Sequence, residues 1–186
     1  MANNSNAVAI LAPDSNGLLW YAPLGTVVPD DLKTLSLTAF KCAGYISSDG
    51  FSYDEQSDTS DPVVAFGGDP VVSPKTKIKP VLKFTLLETG NPDALKLAYA
   101  DDDVVGTEVN NVKVYGTDAT PEPCVMILKL NRGSGITEYQ VFKNASFASR
   151  EEVKNDNDTP DSLGVTWNIR KDSSNRYYTK SIWTTE

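Results

Sequence analysis

The side chains that usually perform acid–base, nucleophilic or metal chemistry are either missing from this chain or poorly spaced. Its 186 residues contain no histidine, so no Ser–His pair, Cys–His pair or histidine-ligated metal is possible. Gly133-Ser134-Gly135 lacks the wider glycine spacing of a nucleophile elbow. Glu151 and Glu152 are adjacent, and adjacent strand residues face opposite sides, so this pair cannot flank one glycosidic bond. The pattern predicts a protein that is not an enzyme.

Two acidic runs remain as candidates for a cation site. Asp101, Asp102 and Asp103 are consecutive, so their carboxylates diverge around the backbone, and a solvated helix end is the favoured interpretation. The run Asp156–Asp161 resembles the start of a calcium loop, but Pro160 stands at its fifth position and Asp161 at the sixth, where an EF-hand requires a ligand and a glycine. A polar hairpin tip is therefore favoured, and no metal or cofactor is predicted.

Composition narrows the class of protein further. The net charge of −8 disfavours tight binding to phosphate backbones. Cys42 and Cys124 are far apart and are predicted to be free thiols. The first residues lack the basic and apolar regions of a secretory signal, and no apolar run reaches the length of a membrane span. We therefore expect folding in a cytoplasm, as a single domain over residues 1–186.

The hydrophobic pattern predicts an α+β domain, mainly antiparallel, of two packed sheets and one short helix. Asn91 is a good N-cap and Pro92 suits the first helical turn, so a helix of two to three turns is predicted over 92–100. The segment 31–40 is expected to be a loop with one helical turn. Strands are predicted at Val8–Leu11, Leu18–Ala22, Lys77–Leu87, Val112–Tyr115, Val125–Leu130, Thr137–Ser149, Val165–Ile169 and Arg176–Thr184.

Two segments exceed what a solitary domain needs. Residues 1–6 are small and polar and are predicted to form a flexible arm. The stretch 50–79 is rich in acidic residues, glycine and proline, and only Val63–Phe66 and Val71–Val72 within it look like strands. Because these two flank Gly67-Gly68, we predict a projecting hairpin rather than free coil.

Several segments spread over nearly the whole chain occur in a recognisable order: Tyr21–Thr26, Gly44–Gly50, Ala65–Asp69, Phe84–Pro92, Tyr99–Asp102 and Leu163–Ile169. Their order resembles the major tail proteins of siphophages, most closely those of phages that infect actinobacteria. The chain departs from that family where Phe66 stands for a frequent tryptophan and Ala100 for a frequent glycine.

This resemblance implies a β-sandwich or barrel-like tail-tube subunit with a flanking helix, assembled as hexameric rings that stack into a DNA-conducting tube. It also implies that a long loop and terminal arms bridge neighbouring rings. The expected partners are further copies of the chain, the tape-measure protein and the proteins that initiate and terminate the tail; DNA passes without tight binding. The expected assembly residues are Asp54, Glu55, Asp58, Asp61, Phe66, Gly67, Gly68 and Asp69 in the loop, and Asn3, Asn4 and Asn6 in the arm.

Two other classes of function remain open at this stage. One is a different phage or bacterial structural β-module, such as a capsid decoration or injection-tube protein. The other is a carbohydrate-binding module, in which exposed aromatic rings would stack on sugars. The candidate rings are Trp20, Tyr21, Trp167, Tyr177, Tyr178 and Trp183; of these, Trp167 alternates with Val165 and Ile169 and is predicted to lie in the core.

Overall fold

A computed structural model describes residues 12–13, 17–58, 63–64, 66, 70–72, 77–152 and 161–184 of the chain. Within them lie thirteen strands, one α-helix, α1 (Pro92–Leu95), and the 3-10 turns Leu32–Thr34 and Asp101–Asp103. The strands are β1 (Ala12–Pro13), β2 (Leu19–Pro23), β3 (Lys41–Cys42), β4 (Ile46–Asp58), β5 (Val63–Val64), β6 (Pro70–Val72), β7 (Lys77–Leu86), β8 (Val104–Glu108), β9 (Asn111–Val114), β10 (Cys124–Asn131), β11 (Ile136–Arg150), β12 (Leu163–Ile169) and β13 (Thr179–Thr184).

Nine strands form one antiparallel network that divides into two layers at the long strand β11. The first part of β11 lies between β10 and β13, with Val141 opposite Thr179. The second part pairs with β12, with Ala145 opposite Ile169. One layer therefore has the order β3-β2-β10-β11-β13 and the other the order β11-β12-β7-β4. A strand shared in this way makes the corner of a sandwich, which confirms the predicted two-sheet α+β class.

The two layers enclose the main hydrophobic core. The ring centroids of Tyr53 on β4 and Phe142 on β11 are 5.7 Å apart, although two strands separate β4 from β11 in the pairing order. The layer containing β4 therefore curls back over β11. Trp167 on β12 lies in this core with 1% of its surface exposed, as its alternation with Val165 and Ile169 predicts. Apolar burial of this kind is the main force that holds the layers together.

Strand β10 is buried on both faces from Cys124 to Leu128, as its apolar sequence there predicts. Met126 and Leu128 face the main core, whereas Val125 and Ile127 face a second cluster. Leu32 and Phe40, from the segment between β2 and β3, cover that second cluster. The expected single helical turn in this segment is the 3-10 turn Leu32–Thr34, capped by the side chain of Asp31.

The helix begins where the sequence predicts but ends early. Asn91 caps it by accepting a hydrogen bond from the backbone N–H of Asp93 at 3.0 Å, and Pro92 occupies the first turn. Regular α-helix ends at Leu95, and hydrogen-bonded turns continue to Tyr99. The predicted helix over 92–100 is therefore too long. After Leu95 the backbone forms hydrogen bonds between residues three apart, from Leu97 to Ala94 and from Ala98 to Leu95, which are typical of a 3-10 turn.

The prediction that the stretch 50–79 is irregular is also wrong for its first residues. Residues through Asp58 belong to β4, which pairs with β7 until Asp58 stands opposite Lys77. Asp54, Glu55 and Asp58 are therefore strand residues. Their polar sequence has weak strand propensity, and the pairing is supplied by β7. The short strands β5 and β6 pair with each other, as the expected hairpin requires.

Three further expectations differ in extent or coverage. Val8–Leu11 and the arm at residues 1–6 lie outside the described residues. The last strand begins at Thr179 rather than at Arg176, after a turn in which Asn175 has a positive φ of 63°. Strand β8 was not predicted; it pairs with β9, and both pack beside the helix region through Val104 and Val112.

Candidate assembly surfaces

Several strands at the borders of the described sheets have a partner strand on one side only, and β4 and β13 are the longest of them. Strand β4 pairs only with β7, and β13 pairs only with β11, within the described part of the chain. An unpaired edge presents a row of backbone N–H and C=O groups that another strand can complete. Since β4 has 13 residues and β13 has 6, the edges are long enough to act as joints between copies.

Two acidic side chains on the β4 edge are exposed to solvent. Asp49 and Asp54 are both exposed. Between Ile46 and Phe51 the register with β7 shifts, and Gly50 adopts a positive φ of 72°. Such a bulge bends an edge strand and changes which side chains point outward.

The predicted inter-ring residues are placed in three different ways. Asp54, Glu55 and Asp58 lie on β4. Phe66 lies in the turn between β5 and β6, and its side chain is fully exposed. Asp61, Gly67, Gly68, Asp69, Asn3, Asn4 and Asn6 lie outside the described residues.

The β13 edge is built over a buried carboxylate that the sequence analysis did not single out. Glu138 on β11 has no exposed surface. Lys180 on β13 approaches one carboxylate oxygen at 2.7 Å, Gln140 donates to the same oxygen at 2.6 Å, and Arg132 donates to the other. Burial opposes ionisation, but these hydrogen bonds outweigh it and hold the pKa of Glu138 below its ordinary value.

Position on a strand offered only a weak signal for this cluster. Glu138 alternates with Gln140 and Phe142 on the core side of β11, where an acidic residue needs cationic partners. Those partners, Arg132 and Lys180, come from the turn before β11 and from β13. Lys180 lies on β13 and Glu138 on β11, so their ion pair adds a side-chain contact to the backbone pairing of these two strands.

A polar cavity of about 460 Å³ lies at the other end of β11. The Arg150 guanidinium stacks 4.1 Å from the Tyr99 ring centroid and donates to the carbonyl of Ala98 at 3.2 Å. Asp118, Glu151 and Glu152 add carboxylates to the lining.

The acidic runs do not converge in the part of the chain that the structure describes. Asp103 is buried and accepts a hydrogen bond from Thr117 at 2.6 Å, whereas Asp101 pairs with Lys96 at 3.5 Å. Of the second run only Asp161 is described, and it is exposed. Among the described residues no group of three or more metal-ligating side chains is present.

The aromatic candidates do not share one surface. Trp167 and Tyr21 are buried, and the Tyr21 hydroxyl donates to the carbonyl of Asp93 at 2.7 Å. Trp183 packs edge-on against Tyr139 with centroids 5.0 Å apart. Tyr178, which packs against Tyr53 at 5.2 Å, remains half exposed beside the start of β13. A stacking platform made from the whole set is therefore wrong.

Comparison with known proteins identifies the chain as a tail component. A family model described as "Phage tail tube protein" matches residues 1–180 of the 186. No curated protein matches the chain. Within the described residues no helix has the length and apolar character needed to cross a membrane. The match covers the helix and all the described strands except the last four residues of β13. The chain belongs to the phage tail tube protein family.

Proposed function

We propose that this chain is the major tube subunit of a siphophage tail, and that it closes into hexameric rings that stack around a channel for DNA. Its family membership makes it a structural component of a phage tail. The observation that best supports the finer proposal is the pair of unpaired edges, β4 and β13. A head-to-tail contact between two different edges repeats from copy to copy, and it gives a closed ring when the rotation between copies closes.

The hairpin between β4 and β7 is proposed to reach a neighbouring ring. Its paired base ends at Asp58 and Lys77, and Phe66 is a fully exposed aromatic side chain beyond that base. Exposed aromatic residues are enriched where proteins bind one another. We assign the same bridging role to the arm at residues 1–6.

The channel is proposed to conduct DNA without binding it tightly. The chain has a net charge of −8, and a wall of the same sign as the phosphate backbone repels it over the screening length of about 8 Å at physiological salt. The remaining partners would be the tape-measure protein and the proteins that initiate and terminate the tail. Assembly would take place in the host cytoplasm, and no catalytic role is proposed. The segments Gly44–Gly50 and Phe84–Pro92 support an origin among phages of actinobacteria.

Replacing residues 59–76 by an Asn-Gly turn tests the bridging role. Asp58 and Lys77 are opposite each other, so a two-residue turn joins them without disturbing the pairing of β4 and β7. We expect a folded subunit that forms single rings but no tubes in negative-stain micrographs. The full chain at the same concentration is the control and is expected to form tubes.

Two outcomes would contradict parts of this proposal. Long tubes from the shortened chain would remove the hairpin from the joint between rings. A full-length chain that stays monomeric at high concentration, both alone and with its tail-initiating partners, would remove the assembly role itself.

A further inference from the structure

The β4 edge and the segment around β13 differ in the sign of their charged residues. Strand β4 contains four acidic residues, Asp49, Asp54, Glu55 and Asp58, and no basic residue. The segment 170–184, which contains β13, has four basic residues and one acidic residue. Three lysines of β7, Lys77, Lys79 and Lys83, lie one strand behind the β4 edge, about 4.8 Å away, and offset part of its charge. The four acidic residues still outnumber these lysines, whereas the segment on the other side has an excess of basic residues.

The basic groups are gathered around β13 by the fold. Lys180 and Arg132 meet over Glu138, so two cations share one carboxylate. Arg176 and Lys143, together with the acidic Asp30, line a cavity beside Thr179, the first residue of β13. Arg170 stands opposite Asn144 on β11, because its backbone N–H donates to the Asn144 carbonyl at 2.8 Å. Asp172 offsets one of these charges by pairing with Arg176 at 3.3 Å.

From this arrangement we infer that the joint between copies pairs β4 of one copy with β13 of the next. This inference rests on the proposed tube function and names the edges that join. Two β4 edges repel each other, and so do two β13 edges, whereas unlike edges attract. Like-charge contact disfavours wrong pairings and opposite charge speeds correct encounter. Backbone hydrogen bonds between the completed edges then supply the persistent contact.

The acidic residues of β4 could have a different role, and that role predicts the opposite effect of removing their charge on self-association. Charged side chains on an edge strand also protect a monomer from aggregation. If that were their role, neutralising Asp49 and Asp54 with asparagine would speed self-association. If the charges guide the joint, the same D49N/D54N variant associates more slowly than the natural chain.

Charge-swapped variants test the pairing directly. Variant A, Asp49→Lys with Asp54→Lys, makes the β4 edge basic. Variant B, Arg170→Glu with Thr184→Glu, adds negative charge at the two ends of the β13 segment. All four side chains are exposed, and none belongs to the Glu138 cluster. We expect each variant to fold, to remain unassembled alone, and to form tubes when the two are mixed, because the swapped edges again have opposite sign.

Matched controls place the same charge changes on other exposed positions. Asp118→Lys with Glu152→Lys matches variant A, and Thr107→Glu with Lys113→Glu matches variant B. Light scattering and negative-stain microscopy follow assembly, and circular dichroism verifies folding. Both controls are expected to assemble at the natural rate. For the unaltered chain, we expect the assembly rate to fall at least about tenfold when the salt concentration rises from about 0.05 M to about 0.5 M.

The outcomes separate this inference from the proposed function. If the natural chain forms tubes but variant A or B does so equally well alone, the β4–β13 joint is wrong and the tube function stands. A mixture of A and B that fails to assemble, controls that lose assembly as strongly, faster assembly of D49N/D54N, or a rate indifferent to salt also overturns the joint. If the natural chain itself never assembles, the proposed function and the inference fall together.

Discussion

Replacing Glu138 by glutamine should reveal how much the buried ion cluster stabilises the fold. The substitution keeps the size of the side chain but removes the charge that faces Arg132 and Lys180. The side chain of Arg132 is 18% exposed, and that of Lys180 is 38% exposed. Lys180 can therefore turn toward water, whereas Arg132 keeps less access to it.

The expected cost follows from which charges lose their partner. Removing one member of a buried ion pair costs about 3–5 kcal/mol. Because Lys180 can regain hydration and glutamine retains one acceptor oxygen, we expect the lower end, about 3 kcal/mol. For a domain of this size each kcal/mol lowers Tm by about 2–4 °C, so Tm should fall by about 6–12 °C. Urea unfolding below the assembly concentration, followed by tryptophan fluorescence, measures the free energy.

The pH dependence supplies an independent check on the same reasoning. The folded pKa of Glu138 is lowered from 4.5, so its ionised form stabilises the native state above that pH. This contribution is lost as pH falls through the folded pKa. The difference in unfolding free energy between the natural chain and the variant should therefore be full at pH 7 and shrink below about 4.5.

A control and two results decide the matter. Glu152→Gln removes an exposed carboxylate and should change the free energy of unfolding by less than about 0.5 kcal/mol. A Glu138→Gln variant as stable as that control at pH 7 would refute the argument from burial. A difference that persists undiminished well below the pKa would show that lost packing, rather than lost charge, is the cause.

Three further predictions concern the helix cap, a turn and the thiols. Asn91→Ala removes the bond to Asp93 and should lower the free energy of unfolding by about 1 kcal/mol in urea titrations; no change would contradict the cap. Gly106→Ala should cost more than about 1 kcal/mol in the same titrations, because Gly106 has a φ of 127° and an added Cβ would overlap the Asn111 carbonyl oxygen; Gly133→Ala, also at positive φ but with open space around it, is the control and should cost less. Burial raises the pKa of Cys124 to about 12. A thiol reagent at pH 8 should therefore label the partly exposed Cys42 first and reach Cys124 only when the protein unfolds. Mass spectrometry follows the labelling, and equal rates for the two cysteines would contradict the burial of Cys124.

The local elements could be predicted because their causes lie within a few residues of chain. Val125–Leu130 reads as an interior strand because the apolar residues Val125 to Leu128 follow one another, and the strand is buried on both faces. Asn91 and Pro92 predict a helix start because capping needs only neighbouring backbone groups. Free cysteines followed from the same kind of local and compositional reasoning, and both thiols are unpaired.

Features that depend on distant partners were missed. Phe51 and Tyr53 alternate as in a strand, but the polar run from Asp54 to Asp58 gives a weak strand signal, and pairing with β7 makes it part of β4. The helix was predicted too long because its apolar pattern continues, whereas the turn at Asp101–Asp103 redirects the chain. Gly106 and β8 were overlooked, since that hairpin packs through Val104 and Val112, which lie on separate strands.

By itself, then, the sequence determined the antiparallel α+β class, the buried strands, the helix start and, through segment order, the resemblance to tail proteins. Only the tertiary structure decided that β11 passes from one layer to the other, that Glu138 is buried beneath Arg132 and Lys180, and that β4 and β13 are the longest edge strands among the described residues. The physical reason is the distance along the chain between the residues that interact. Turn geometry, capping and periodicity depend on neighbours in the chain, whereas strand order and charge partners depend on residues that folding alone brings together.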